Sequence, residues 1–269
     1  MVSLGQRRKG EMTMAKGTTR AKRRQRILNL EESGGSVIYE GPSLIDGEPI
    51  VVIMTYGSSN EKTGDIHQTW ILLQNTSPLD GVKNGQDESI CGDCVHRPAL
   101  AKGNGEARCY VNVGQAPQGI WRKYKRGGYP TISLDDACAI VEGDVVRFGA
   151  YGDPGAVPAS LWKALADSCE NHTGYTHRWK DTGIDLAGIA MASVDSVDEM
   201  LEAWGNGFAT FRVEQSADAM RKPFQGEAIC PSPKVSCMTC PLKCDGTVGK
   251  VRGRRILDHG PGGEGRKVA

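Results

Sequence analysis

The chain has 269 residues, 39% of them hydrophobic and 24% charged, which is enough to bury one large core or two small ones. It holds no run of about 18 apolar residues, and its basic start is not followed by an apolar stretch, so neither a membrane helix nor a secretory signal is expected. The formal net charge of +1 hides an asymmetry, because residues 1–27 carry nine Lys and Arg against Glu11 alone and leave the remainder net acidic.

In chain order, residues 1–35 read as a basic arm, disordered in isolation for want of apolar periodicity and suited to holding phosphates through counterion release. Residues 36–260 read as a single α/β barrel-like catalytic domain that includes metal-binding loops, and residues 261–269 as a flexible tail. Pro49–Thr55 and His67–Gln74 have the composition of buried strands joined by a polar, glycine-bearing loop. The segment Asn75–Arg108 is irregular, rich in Gly, Asp, Asn and Pro, and longer than a passive connection. Residues 110–126 interleave Trp121 and Tyr124 with Lys123, Lys125 and Arg126 on an expected helix after a strand. That pattern suits either a phosphate-and-base surface or a solvated helix face with its rings tucked inward.

From Val145 onward, short apolar runs alternate with helical stretches: Val145–Ala150, helix Ala159–Glu170, His172–His177, Gly188–Ser193, helix Asp198–Gly205 and Phe208–Val213. Strand then helix, repeated, argues for a parallel sheet. Trp162, Leu165 and Ala166, and likewise Met200, Leu201 and Trp204, recur at helical spacing and read as core. Ala228–Ile229, a cysteine loop and Arg254–Asp258 complete the pattern.

Parallel α/β folds gather chemistry at the C-terminal ends of their strands. That rule brings Tyr151, Asp153, His177, Asp195 and Arg212 to one rim. Asp153 and Asp195 are the expected catalytic pair, since two strand-end carboxylates can divide attack at carbon from proton transfer. Tyr151, His177 and Arg212 are the expected substrate-binding residues. Helix capping is the competing role for both aspartates, Asp153 because it precedes Pro154 and Asp195 because a helix follows it.

Nine cysteines in a chain expected to reside in the reducing cytoplasm point to metal ligation rather than disulfides. Cys230, Cys237, Cys240 and Cys244 lie within fifteen residues, and short spacers let successive thiolates fold round one ion. His259 could replace Cys230 in a Cys3His set. Zinc and an iron–sulfur cluster both accept such ligands. Cys91 and Cys94, with His96 close by and Cys109 further on, form a possible second metal group. Cys138 and Cys169 are expected on helices as plain core thiols.

Across residues 36–260 the phrases Cys91-Gly-Asp-Cys94, Cys109-Tyr-Val-Asn-Val-Gly114, Gly149-Ala-Tyr-Gly-Asp-Pro154, Gly174-Tyr-Thr-His177 and Ala192-Ser-Val-Asp-Ser196 resemble a cysteine-rich, barrel-like family of phages, plasmids and bacteria. The arrangement also resembles the phage 7-deazaguanine DNA transglycosylases, remote relatives of tRNA-guanine transglycosylase. That resemblance implies a (β/α) barrel, two strand-end aspartates, a structural zinc site and exchange of guanine in DNA for a modified purine base such as preQ0, which shields the DNA from restriction. The family's zinc motif is Cys-x-Cys-x2-Cys with a distant His, whereas here the spacing is Cys237-x2-Cys240-x3-Cys244. Two other expectations stand beside it: an iron–sulfur enzyme similar to radical-SAM proteins through Cys91, Cys94 and Cys109, and a non-catalytic zinc module that binds nucleic acid through the arm. DNA is favoured over RNA as partner.

Overall fold

The computed structural model describes residues 30, 32–58, 60–101, 109–181, 185–221, 224–232 and 234–258. Most of the expected basic arm, the expected tail and His259 lie outside the described residues. Nine strands form one mixed sheet: β1 (Gly35–Pro42), β2 (Pro49–Thr55), β3 (His67–Leu73), β4 (Val145–Tyr151), β5 (Asn171–Thr176), β6 (Met191–Val194), β7 (Thr210–Glu214), β8 (Glu227–Ile229) and β9 (Gly253–Leu257). Their spatial order is β1-β2-β3-β4-β5-β6-β7-β9-β8. The first three pair antiparallel, and every pairing from β3 onward is parallel. The expected parallel sheet is therefore correct for its larger part, with an antiparallel β1–β2–β3 unit added at one edge.

The expected closure into a barrel is not seen. β1 and β8 stand at the two ends of the order, and among the described residues no pairing joins them.

β2 is an unbroken apolar run whose residues Ile50 to Met54 are fully buried, as a strand covered on both faces requires. On β4, Phe148 points to the helical side, where its ring lies 5.1 Å from Trp162 and stacks on His172 at 4.9 Å. The opposite face carries Arg147, Tyr175 and Phe211, the last two with ring centroids 4.7 Å apart. On β6 and β7 the residues Ala192, Val194, Thr210 and Arg212 are buried, while Ser193, Phe211 and Val213 stay half-exposed.

The expected irregular segment after β3 holds three short helices, α1 (Pro78–Asn84), α2 (Glu88–Cys91) and α3 (Pro98–Ala101). They are followed by α4 (Ala116–Lys125), α5 (Leu134–Ile140), α6 (Ala159–Ser168), α7 (Val197–Gly205) and α8 (Ala217–Met220). Four of these helices begin with a serine whose hydroxyl accepts the backbone N–H three residues on: Ser77, Ser133, Ser196 and Ser216. Cys138 lies on α5 as expected, but Cys169 sits one residue past α6 as its C-cap. Leu201, expected in the core, is 48% exposed, because α7 turns Met200 and Ala203 to the sheet and Leu201 is rotated off that stripe. None of the described helices is long and apolar enough to cross a membrane.

One irregularity positions the cysteine-rich loop. β5 pairs with β4 over Asn171 to Gly174 but with β6 only at Tyr175 and Thr176. The edge left open is filled by the loop between β8 and β9. Gly174 N donates to Cys244 O at 3.2 Å, and the His172 Nε2 lies 2.9 Å from Ile189 O and 3.0 Å from Asp245 O. Gly246 follows at φ 82°, where a Cβ would come within 2.7 Å of Ala190 N, so only glycine fits this wedge.

Candidate functional site

Asp153 stands at the turn after β4, with its backbone N donating to Ile90 O at 2.7 Å. Its Oδ1 accepts from Gly155 N at 2.8 Å and Thr176 Oγ1 at 2.7 Å, and its Oδ2 accepts from His177 N at 2.7 Å. The first of these bonds makes Asp153 the cap of the 3₁₀ turn Pro154–Ala156, so the capping role weighed from the sequence is real. The other two tie it to the end of β5. Burial lifts the Asp153 carboxyl above its ordinary range, while nearby His177 and the three donors pull it back.

Gly152 lets the chain reach this turn. It has φ 80°, and a Cβ there would meet Ile71 Cβ at 2.7 Å.

Asp195 stands at the turn after β6, and its surroundings differ. Ser196, not Asp195, caps α7. The Asp195 N donates to Glu199 Oε2 at 2.9 Å, and its Oδ1 lies 2.9 Å from His96 Nε2. The His96 ring meets His177 edge-on, with centroids 5.5 Å apart and an interplanar angle of 70°. Burial pushes the His177 imidazole below its usual value, against the opposing pull of Asp153, and Asp195 and Glu199 also act on it electrostatically. Both candidate carboxylates thus act on one imidazole. Its Nε2 is buried and without a hydrogen-bond partner among the described residues.

The Tyr151 hydroxyl is a second orphan of this kind. Its side chain is buried beside Cys91, Asp87, Cys109 and Arg97, and burial raises the phenol strongly. These neighbours belong to the loop after α1, which Arg97 staples from inside. Arg97 donates to Asp87 Oδ1 at 2.8 Å, Gly92 O at 2.7 Å and Gly85 O at 2.7 Å, and its side chain is 4% exposed. Burial raises the thiols of Cys91, Cys94 and Cys109, Cys94 to about 12, and Cys109 raises both Cys91 and Cys94 further. The turn bearing Cys94 meets the chain at Cys109 through Cys109 N and His96 O, 3.2 Å apart.

Cys230, Cys237, Cys240 and Cys244 form a second thiol group in the loop between β8 and β9. Burial raises Cys230, Cys237 and Cys244, the last to about 12, and their neighbours include one another, Arg147 and Arg254. Cys237 N and Met238 N donate to Lys62 O and Thr63 O, which docks the loop on the β2–β3 connection. Among the described residues, no three His, Cys, Asp or Glu side chains stand close enough together to hold an ion.

The donor chemistry of the four thiols still fits a soft divalent metal. Arg254 is buried and Arg147 half-buried beside them; neither pairs with a carboxylate among the described residues, and each keeps a buried, unpartnered Nε. Four thiolates around a divalent ion carry two excess negative charges, which two guanidiniums neutralise.

Arg212 is not on the rim. Its side chain is 6% exposed and turned to the helical face, where Glu227 takes Nε at 3.0 Å and Nη2 at 2.5 Å and Glu214 takes Nη1. The strand's alternation decides this: Phe211 and Val213, not Arg212, share the open face. The helix expected to mix rings and cations is α4, and its rings are tucked inward. Trp121 Nε1 donates to Leu73 O at 2.9 Å, and Lys123 and Lys125 are bound to the carbonyls of Ser33 and Gln74. Among the described residues just before α4, 109–112 run irregularly rather than as the expected strand.

The sequence pattern did not single out Thr176 and noted His96 only as a neighbour of the cysteines. Their partners are 23 and 99 residues away, and no local spacing announces such pairs. No protein-family model, curated protein or solved structure matches the chain.

Proposed function

We propose that this protein is a nucleic-acid base-modifying enzyme, a transglycosylase that exchanges guanine in DNA for a 7-deazaguanine such as preQ0. The observation that carries the reading is that Asp153 and Asp195, from the ends of two parallel strands, meet around His177: Asp153 accepts His177 N at 2.7 Å, Asp195 pairs with His96 at 2.9 Å, and the His96 ring lies edge-on to the His177 imidazole, whose buried Nε2 has no partner among the described residues. Glycosidic exchange needs this combination: a carboxylate that attacks C1′, a group that moves a proton, and a polar atom that holds a planar base. On this reading the sheet is an opened barrel whose strand ends form the rim.

The two aspartates divide the work by their surroundings. Asp195, whose side chain is 32% exposed where Asp153 is buried, is the more accessible carboxylate and is the nucleophile. Its carboxylate bonds to C1′ as the C1′–N9 bond breaks, and the guanine leaves with the electron pair and takes a proton. The incoming 7-deazaguanine loses its N9 proton, attacks C1′ and displaces Asp195. Asp153, its carboxyl raised by burial, gives the leaving guanine its proton and is reprotonated by the N9 proton of the incoming base. His177 Nε2 and Tyr151 Oη are buried polar atoms that the planar base would satisfy.

Zinc held by Cys230, Cys237, Cys240 and Cys244 would supply structural closure of the β8–β9 loop and take no part in the chemistry. The test is incorporation of labelled preQ0 into DNA by wild type and Asp195→Asn. Label entering with wild type and not with the variant supports the reading, and a wild type inert on both DNA and RNA overturns it.

A further inference from the structure

We infer that His96, carried on the loop that bears Cys91 and Cys94, is a positioning residue that fixes the Asp195 carboxylate for attack. The inference rests on the base-exchange reading and adds a residue and a loop to it.

Asp195 immediately precedes Ser196, the cap of α7. Ser196 accepts Glu199 N at 3.1 Å, and Glu199 reaches back to Asp195 N at 2.9 Å, which fixes the backbone on which the carboxylate is carried. The Asp195 Oδ1 meets His96 Nε2 at 2.9 Å across 99 residues of chain. A carboxylate only accepts, so the imidazole donates through Nε2, and one carboxylate rotamer is selected.

His96 is itself held from behind. Its carbonyl accepts Cys109 N at 3.2 Å, and Arg97 N donates to Cys94 O at 3.1 Å. Its ring rests edge-on against His177. The side chains are 19% and 32% exposed, so the pair stands at the mouth of the site rather than in open solvent. Through Ile90 O the same loop also holds Asp153 N, so both strand-end aspartates are set by one segment.

Two measurements on the full chain test this. Amide hydrogen exchange compares wild type, His96→Ala, Asp195→Ala and the double variant, with the β2 amides as internal reference. Exchange at the Arg97 and Cys109 amides should rise about threefold to tenfold in each single variant and no further in the double one. Unchanged exchange in both single variants, or additive rises in the double, overturns the inference.

In the preQ0 assay, His96→Ala should lower kcat about tenfold or more with KM nearly unchanged, and His96→Gln, which keeps an N–H donor, should restore most of it. Equal kcat in wild type and His96→Ala overturns the inference. A wild type without base exchange overturns the proposed function instead, and amide exchange alone then decides whether His96 holds Asp195.

Discussion

At Asp153 three donors meet one carboxylate, with Gly155 N and Thr176 Oγ1 on Oδ1 and His177 N on Oδ2. An amide cannot serve all three, because its NH₂ would oppose one of them. Asp153→Asn should therefore cost about 1–3 kcal/mol in urea unfolding, while Asp195→Asn, whose side chain is 32% exposed, should cost less than about 1 kcal/mol. Equal losses would show that the two aspartates are held alike. Arg97 and Asp87 offer a sharper case, since both side chains are almost fully buried. Removing Asp87 leaves the buried guanidinium with only the exposed carboxylate of Glu88, 3.3 Å away, so Asp87→Ala should lose about 3 kcal/mol, read from the same unfolding curves. Positions at strand ends were legible in the sequence because apolar runs mark where strands stop. The partners of those residues were not, since Thr176 and His96 reach them only through the fold. Arg212 shows the complementary error: it was placed near a strand end correctly, but the period of two sends its side chain to the far face.

Strands β2 to β5 were legible because each is a compact run of β-branched, aromatic or apolar residues bounded by polar or glycine-bearing turns. The short helices α1 and α8 were missed, and of α5 only the helical placement of Cys138 was read, because four to seven residues give too little periodicity to read. Their signal was local instead, in Ser77-Pro-Leu-Asp80, Ser133-Leu-Asp-Asp136 and Ser216-Ala-Asp-Ala219, each a serine followed by a helix-opening acid. The fork between β5 and β6 was invisible, because nothing in Asn171–Thr176 shows that half its edge pairs with a loop. That fork has a consequence for pH. Burial lowers the His172 imidazole from its ordinary 6.5, and its Nε2 faces two carbonyl oxygens. Above 6.5 both folded and unfolded chains hold it neutral, and the group adds no pH dependence. As pH falls below 6.5 the unfolded chain takes the proton first, so stability declines until the lower folded value is passed. His172→Gln should flatten the dependence of unfolding free energy between about pH 7 and pH 5, and an unchanged slope would assign it to other groups.

At the scale of the molecule, the β8–β9 loop joins parts of the sheet that share no strand pairing. It donates to the β2–β3 connection from Cys237 and Met238, accepts from β5 at Cys244, and is held by Arg254 at the carbonyls of Lys243 and Val251. An open sheet of nine strands, with β1 and β8 at its ends, gains little from closure and depends on such cross-ties. The cysteines within the loop were legible from spacing alone, whereas the two arginines beside them were not, because Arg147 comes from β4 and lies far off in sequence. If a divalent metal gathers the four thiolates, its binding free energy is also folding free energy, and the cross-ties form only with the ion in place. Purified protein should then hold about one zinc per chain. Cys240→Ser should lower metal content and melting temperature together, and a strong chelator should speed amide exchange at Gly174 while sparing β2. Arg147→Met separates charge from packing, since it keeps the apolar stem but removes a neutralising cation beside Cys237. With metal bound it should weaken zinc retention, and with metal absent a half-buried cation with a buried, unpartnered Nε has been removed and stability should rise. A Cys240→Ser protein that melts at the wild-type temperature, with Arg147→Met more stable than wild type under all conditions, would mean that the loop is held by its backbone bonds and that the thiols are a buried, metal-free cluster.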